Sequence, residues 1–153
     1  MTGSRIRADH QDMRPSLCAR QSALHSLWAE KCSGRLAPPR QAFDVVELRE
    51  WLGSLCLIAV EDGGRDYFYR VFGTSLATTI GRELTGRRLS EVECAVAEAF
   101  ASGYAAVVAS AAPGHFAATF VNSLRTIRLS DLVLPLSQDG ETVDALLTCT
   151  FEL

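Results

Sequence analysis

The chain has 153 residues, enough for one domain with a core of its own and no need of disulfides or a metal. With 48% hydrophobic and 22% charged residues and a mean hydropathy of +0.10, it is neither a disordered nor a membrane-embedded composition. The net charge of −3 is unevenly spread, +4 over residues 1–40 and −7 over residues 41–153, so the body lacks the basic face that nucleic-acid binding requires.

Residues 1–15 (MTGSRIRADHQDMRP) show no periodicity and are read as a flexible arm, without the apolar stretch of a secretory signal. No apolar run approaches the ~20 residues of a membrane span, and a cytoplasmic location is expected. Five cysteines (Cys18, Cys32, Cys56, Cys94, Cys149) contain no C-x-x-C pair, which fits neither a zinc site nor a disulfide framework. Leu17, Leu24, Leu27 and Trp28 fall on one side of a helix ending near Lys31. Residues 16–40 are therefore read as an N-terminal amphipathic helix and its Pro-rich linker, and 41–153 as the body. Asp44, with Glu47 three residues on, predicts a capped helix through Leu52.

Leu55–Val60 and Asp66–Phe72 read as two strands joined by the turn at 61–64, and Thr74 as the cap of a short helix to Gly81. An irregular connector at 83–92 leads into an Ala-rich helix from Glu93 to about Ala112, stopped by Pro113-Gly114. Three strands follow, His115–Asn122, Thr126–Leu136 and Val143–Phe151, with turns at 123–125 and 138–140. The strands are apolar at nearly every position, so the sheet needs cover on both faces. The internal helices cover one face, and the N-terminal helix, from the same or a partner chain, covers the other.

Several local segments narrow this element order. They are Trp28, Pro39-Arg40 with Phe43-Asp44, Tyr69-Arg70-Val71-Phe72-Gly73-Thr74, Gly81 through Arg87, and Leu134-Pro135-Leu136-Ser137 followed by Asp139-Gly140. Together, over roughly residues 24–150, they resemble the single-domain PAS-like family common in alphaproteobacteria. The resemblance implies an α+β fold with a PAS-like five-stranded antiparallel sheet, helices between strands two and three, and an N-terminal amphipathic helix. It also implies signal sensing and regulatory protein contacts, with no agreed ligand. Family members tend to carry an acidic residue shortly before the Leu-Pro-Leu-Ser segment, and Asp131 is the nearest candidate; residues 114–123 match poorly. Independently, Gly73 between a strand and a helix predicts close backbone approach or positive φ. Pro135 within a strand predicts a strand edge, bulge or end.

No nucleophile-elbow, Walker or H-E-x-x-H motif occurs. His115 is expected to be a solvated strand-end residue and not a haem ligand; the flavin-adduct segment G-x-N-C-R-F is absent, and the cofactor stays open. Tyr69, Arg70, Phe72, Thr74 and Phe120 are the candidate ligand-binding residues, with Arg70 a candidate bidentate anchor for an anion. Alternation along that strand puts 67, 69 and 71 on one face and 68, 70 and 72 on the other. Arg87-Arg88 is expected to be a solvated pair. Leu17, Leu24, Leu27 and Trp28 are the candidate dimer or partner interface, with a homodimer docked in trans preferred over docking in cis. The expected function is a stand-alone, non-catalytic sensory or regulatory domain that takes a small ligand or a signalling partner, with no nucleic acid or membrane as a partner. The alternatives are a ligand-free adaptor and a small α+β isomerase-like enzyme using Asp131 and Tyr69.

Overall fold

The computed structural model describes residues 17–92, 95–121 and 125–153, excepting the side chains of 95, 96 and 120. The expected arm, Cys94, most of the 123–125 turn and the Phe120 side chain lie outside the described residues. The elements in order are α1 (Ala19–Cys32), β1 (Leu55–Glu61), β2 (Asp66–Phe72), α2 (Thr74–Ile80), α3 (Ala95–Ser110), β3 (Gly114–Val121), β4 (Thr126–Leu136) and β5 (Ala145–Glu152). The strands form one antiparallel sheet in the order β2-β1-β5-β4-β3, with α2 and α3 between its second and third strands. The PAS-like α+β architecture expected from the sequence is present.

Two apolar cores lie on opposite faces of this sheet. The inner core packs Ile58, Tyr69, Phe72 and Ile127 against Leu76, Phe100, Tyr104 and Val107 of α2 and α3. The outer core packs Leu55, Leu132, Leu134 and Leu147 against Leu24 and Trp28 of α1 and against Trp51. Strands apolar on both faces thus gain cover on both, as burial of such surface demands. No helix of the described residues is long and apolar enough to cross a membrane.

Two local expectations are corrected. Residues 44–52 do not form a helix, although the Asp44 amide donates to Glu47 Oε1 and Asp44 Oδ1 accepts the Val46 amide. The segment makes turns and then a 3-10 turn at Leu52–Ser54. Trp51 is buried there and donates its indole N–H to Arg20 O at 2.8 Å, so tertiary burial overrides the cap. Thr74 is not the cap of α2: Gly73 is, its carbonyl taking the Ala77 amide at 2.9 Å. A Cβ at Gly73 would stand 2.3 Å from Gly53 O, so of the two expected reasons for glycine, close backbone approach holds and positive φ does not (φ −59°).

The strict alternation along β2 also fails. Leu57 pairs with Val71 but Ile58 pairs with Tyr69, leaving Arg70 as the extra residue of a β-bulge. Tyr67, Tyr69 and Phe72 therefore all face inward, while Arg70 and Val71 are exposed. Pro135 sits where β4 has outrun β3, whose pairing stops at Val133, so it has a strand on one side only.

Candidate functional site

The inner face carries polar groups where apolar ones would pack more simply. Ile127, Leu129 and Val133 of β4 face the helices, and Asp131 between them is 3% exposed on that same face. Its cross-strand neighbour Thr150 donates a hydroxyl hydrogen bond to Asp131 Oδ1 at 2.8 Å. Burial pushes the Asp131 carboxyl up to about 7, against the opposing pull of the Thr150 bond. One row along the sheet, Cys56, Thr148 and Val133 stand side by side on β1, β5 and β4. Burial pushes the Cys56 thiol up to about 12.

Three tyrosines share this inner face, Tyr67 and Tyr69 from β2 and Tyr104 from α3. Tyr69 and Tyr104 join their hydroxyls at 2.8 Å, and Tyr104 stacks on Phe100 and meets Tyr67 edge to face. Tyr104 is raised well above the usual tyrosine value, by burial first, then by Tyr69 and by the Asp131 charge. Tyr67 Oη and Thr148 Oγ1 are buried and have no hydrogen-bond partner of standard geometry among the described residues. The Cys56 thiol lies beside Thr148 closely enough to feel its hydroxyl, a looser contact than a full bond. Two unpaired buried hydroxyls and a carboxyl held by one bond give the inner face capacity to take hydrogen bonds that the chain does not itself fill.

The same strands are tied to α1 on their outer face. Gln21, fully buried, donates from Nε2 to Ser130 O and to Cys149 O, both at 3.1 Å. Ser130 donates its hydroxyl to Gln21 Oε1 at 3.1 Å. With that proton committed, His115 Nε2 is the donor in its 2.5 Å contact with Ser130 Oγ. Trp28 Nε1 donates to Pro135 O at 2.7 Å. Ser130 and Cys149 are the immediate chain neighbours of Asp131 and Thr150, so Gln21 and the buried carboxyl hold the same two strands from opposite sides.

Among the sequence-derived candidates, Tyr69 and Phe72 reach the inner cluster side by side, ring centroids 5.2 Å apart. Arg70 does not: the bulge turns it to solvent, where its guanidinium lies 5.9 Å from the Phe68 ring centre. Thr74 is exposed on α2, and Thr78 returns a hydroxyl bond to its carbonyl. His115 is buried, correcting the solvated strand end, because β3–β4 pairing sets it opposite Leu132 beneath α1. Arg88 pairs with Glu61 at 2.8 Å on an exposed surface. Leu24 and Trp28 are buried on the chain's own sheet, with Leu17 and Leu27 half-buried beside them.

Sequence reasoning did not single out Gln21, Cys56, Tyr104, Ser130, Thr148 or Thr150. Gln21 had a visible signal, since it lies on the helical stripe between Leu17 and Leu24. Asp131, noted only as a family feature and as half of the alternative catalytic pair, is the centre of the cluster.

The sheet order, the helices between its second and third strands and the buried inner site define a PAS-type fold. A family model described as PAS domain matches residues 18–150, and the chain belongs to that family. Comparison with curated proteins and with solved structures gives no match. Family membership makes it a sensory or regulatory domain in the general sense.

Proposed function

We propose that this chain is a sensory regulator without catalytic output, that its inner cluster holds a small ligand, and that α1 reports the state of that cluster. The observation that carries this is the meeting of Asp131 and Gln21 on opposite faces of one strand pair. A ligand with an apolar body and a hydrogen-bond donor suits the site, because Asp131 accepts and the surrounding rings supply apolar contact. Tyr69 and Phe72 remain as ligand contacts in this reading; Arg70 and Thr74 do not. A change of charge or occupancy at Asp131 shifts β4 and β5, and Gln21 passes that shift to α1 by biasing an equilibrium already present in the helix.

The contacts of Leu24 and Trp28 are made within one chain. A homodimer would repeat them in trans only by exchanging α1 between two copies. A signalling partner would then read the exposed side of α1.

The test is mass spectrometry of the native protein and of what denaturation releases, together with amide exchange of α1 between pH 5 and 9. A stoichiometric small molecule, lost in Asp131→Asn, supports the site. Protection of α1 that changes with a midpoint near 7, and is flat in Asp131→Asn, supports the relay. Empty protein with pH-independent α1 protection removes both and favours a ligand-free adaptor.

A further inference from the structure

The outer face is not wholly covered by α1. Between the 40–52 segment and strands β1 and β2 runs a groove of about 470 Å³. Its floor is Leu55, Leu57, Val71 and Leu147, and Phe43 and Leu48 form the facing wall. Val45 is 69% exposed there and Val71 44%, apolar surface that a folded chain normally buries. Among the described residues of the lining the polar side chains are Arg40 and Gln41, adjacent in the chain, so that polarity is confined to one place. Among the described residues neither side chain makes a hydrogen bond or ion pair.

We infer that this groove binds a free long-chain carboxylate, its alkyl chain on the leucine floor and its head group on Arg40. The walls decide between occupants. Leu55, Leu57 and Leu147 of the floor lie on strands paired on both sides, β1 with β2 and β5, and β5 with β1 and β4. Val71 lies on the edge strand β2, where the Tyr69 amide and carbonyl are already taken by Arg87 O and the Gly86 amide, so the floor has little backbone to offer an added peptide strand. A peptide laid there would leave its own backbone unpaired against leucine, whereas an alkyl chain asks for no hydrogen bonds. An unpartnered guanidinium matches a carboxylate in a two-pronged bond, and the volume is in the range of small-molecule sites. The site lies on the opposite face of the sheet from the Asp131 cluster and is independent of it.

The experiment is calorimetric titration of the full chain with dodecanoate below its micelle concentration, with dodecanol as the uncharged probe. One dodecanoate per chain is expected, with dodecanol weaker. Loss of the charge-assisted bond in Arg40→Gln weakens dodecanoate by at least about 10-fold. Val71→Asp, on the exposed strand, removes binding, while Arg70→Gln, one residue away and outside the groove, leaves it unchanged. Equal binding of dodecanol, or unchanged binding in both Arg40→Gln and Val71→Asp, overturns the inference. So does a native dimer that binds no dodecanoate and that Val71→Asp dissociates, since the groove would then be an interface between copies. Silence toward dodecanoate leaves the Asp131 reading standing, because that reading is measured by the pH response of α1.

Discussion

On the inner face of the sheet, β4 and β5 present Asp131, Thr148 and Thr150 to helices carrying Tyr104 and Phe100. On the outer face the same strands present Leu132, Leu134, Leu147 and Cys149 to α1 and Trp51. The inner face keeps out of water, at a cost to stability, a carboxyl held by one bond and two hydroxyls unpaired among the described residues. The outer face places its polar groups, Gln21, Ser130 and His115, in mutual hydrogen bonds. A protein selected for stability alone would treat the two alike, since buried polar groups are ordinarily satisfied. The difference marks the part of the outer face beneath α1 as structural fastening and the inner face as a place where something else must bind or change.

The sharpest test of the fastening is Trp28→Ala. It removes a nearly buried side chain and its bond to Pro135 O, and a loss of ~3–5 kcal/mol is expected in urea denaturation. A loss below ~1 kcal/mol would mean that α1 is not docked in solution. The concentration dependence of the same curves separates the two docking modes. Midpoints independent of protein concentration fit docking in cis, and midpoints that rise with concentration fit α1 exchanged in a dimer.

Asp131→Asn tests the cost on the inner face. Asp131 titrates at about 7 in the folded chain against an ordinary 3.8, so the native state holds the extra proton between those values. Wild-type stability therefore falls as pH rises from about 4 to 7 and stays low above it. The asparagine side chain keeps an acceptor for the Thr150 hydroxyl and has no charge to bury. At pH 8 the variant is expected to exceed wild type by up to ~4 kcal/mol, and at pH 4 the two converge. Equal stability at pH 8 would mean that the carboxylate is solvated or paired, and the contrast between the faces would collapse.

The fold was legible because its signals are local and redundant. Leu55–Val60 and Asp66–Phe72 carry apolar and aromatic runs bounded by glycine, and the structure gives β1 and β2 nearly those bounds. The site was less legible because it depends on register. One extra residue at Arg70 puts Phe72 in the core in place of Val71, beside Tyr67 and Tyr69, and nothing in DYFYRVF announces a bulge. His115 and Gln21 show the same limit: they meet through Ser130, 15 and 109 residues away in sequence. Asp44 shows another, since its capping bonds form as the sequence suggests and the helix still does not propagate.

Gln21→Leu sharpens the comparison from the outer side. Leucine matches the apolar surroundings but cannot bond Ser130 O, Cys149 O or the Ser130 hydroxyl. A loss of ~1–3 kcal/mol is expected, from polar groups left buried without their partner. A neutral result would show that the outer network adds order without stability.

The smallest effect is the most informative. Asp131 and Gln21 lie on opposite faces, so independent faces predict that Asp131→Asn and Gln21→Leu add within ~0.5 kcal/mol. Both residues nevertheless hold the 130–131 and 149–150 segments, one by a side-chain bond at Thr150 and the other by the carbonyls of Ser130 and Cys149. If the state of the carboxyl is passed to α1 along that route, the double mutant departs from additivity by ~0.5–3 kcal/mol at pH 8. The departure vanishes near pH 5, where Asp131 is protonated in the folded chain and resembles an asparagine. A coupling equal at both pH values would reflect packing shared by the two strands and not the charge. The pH dependence, more than the size, separates a relay from mere proximity.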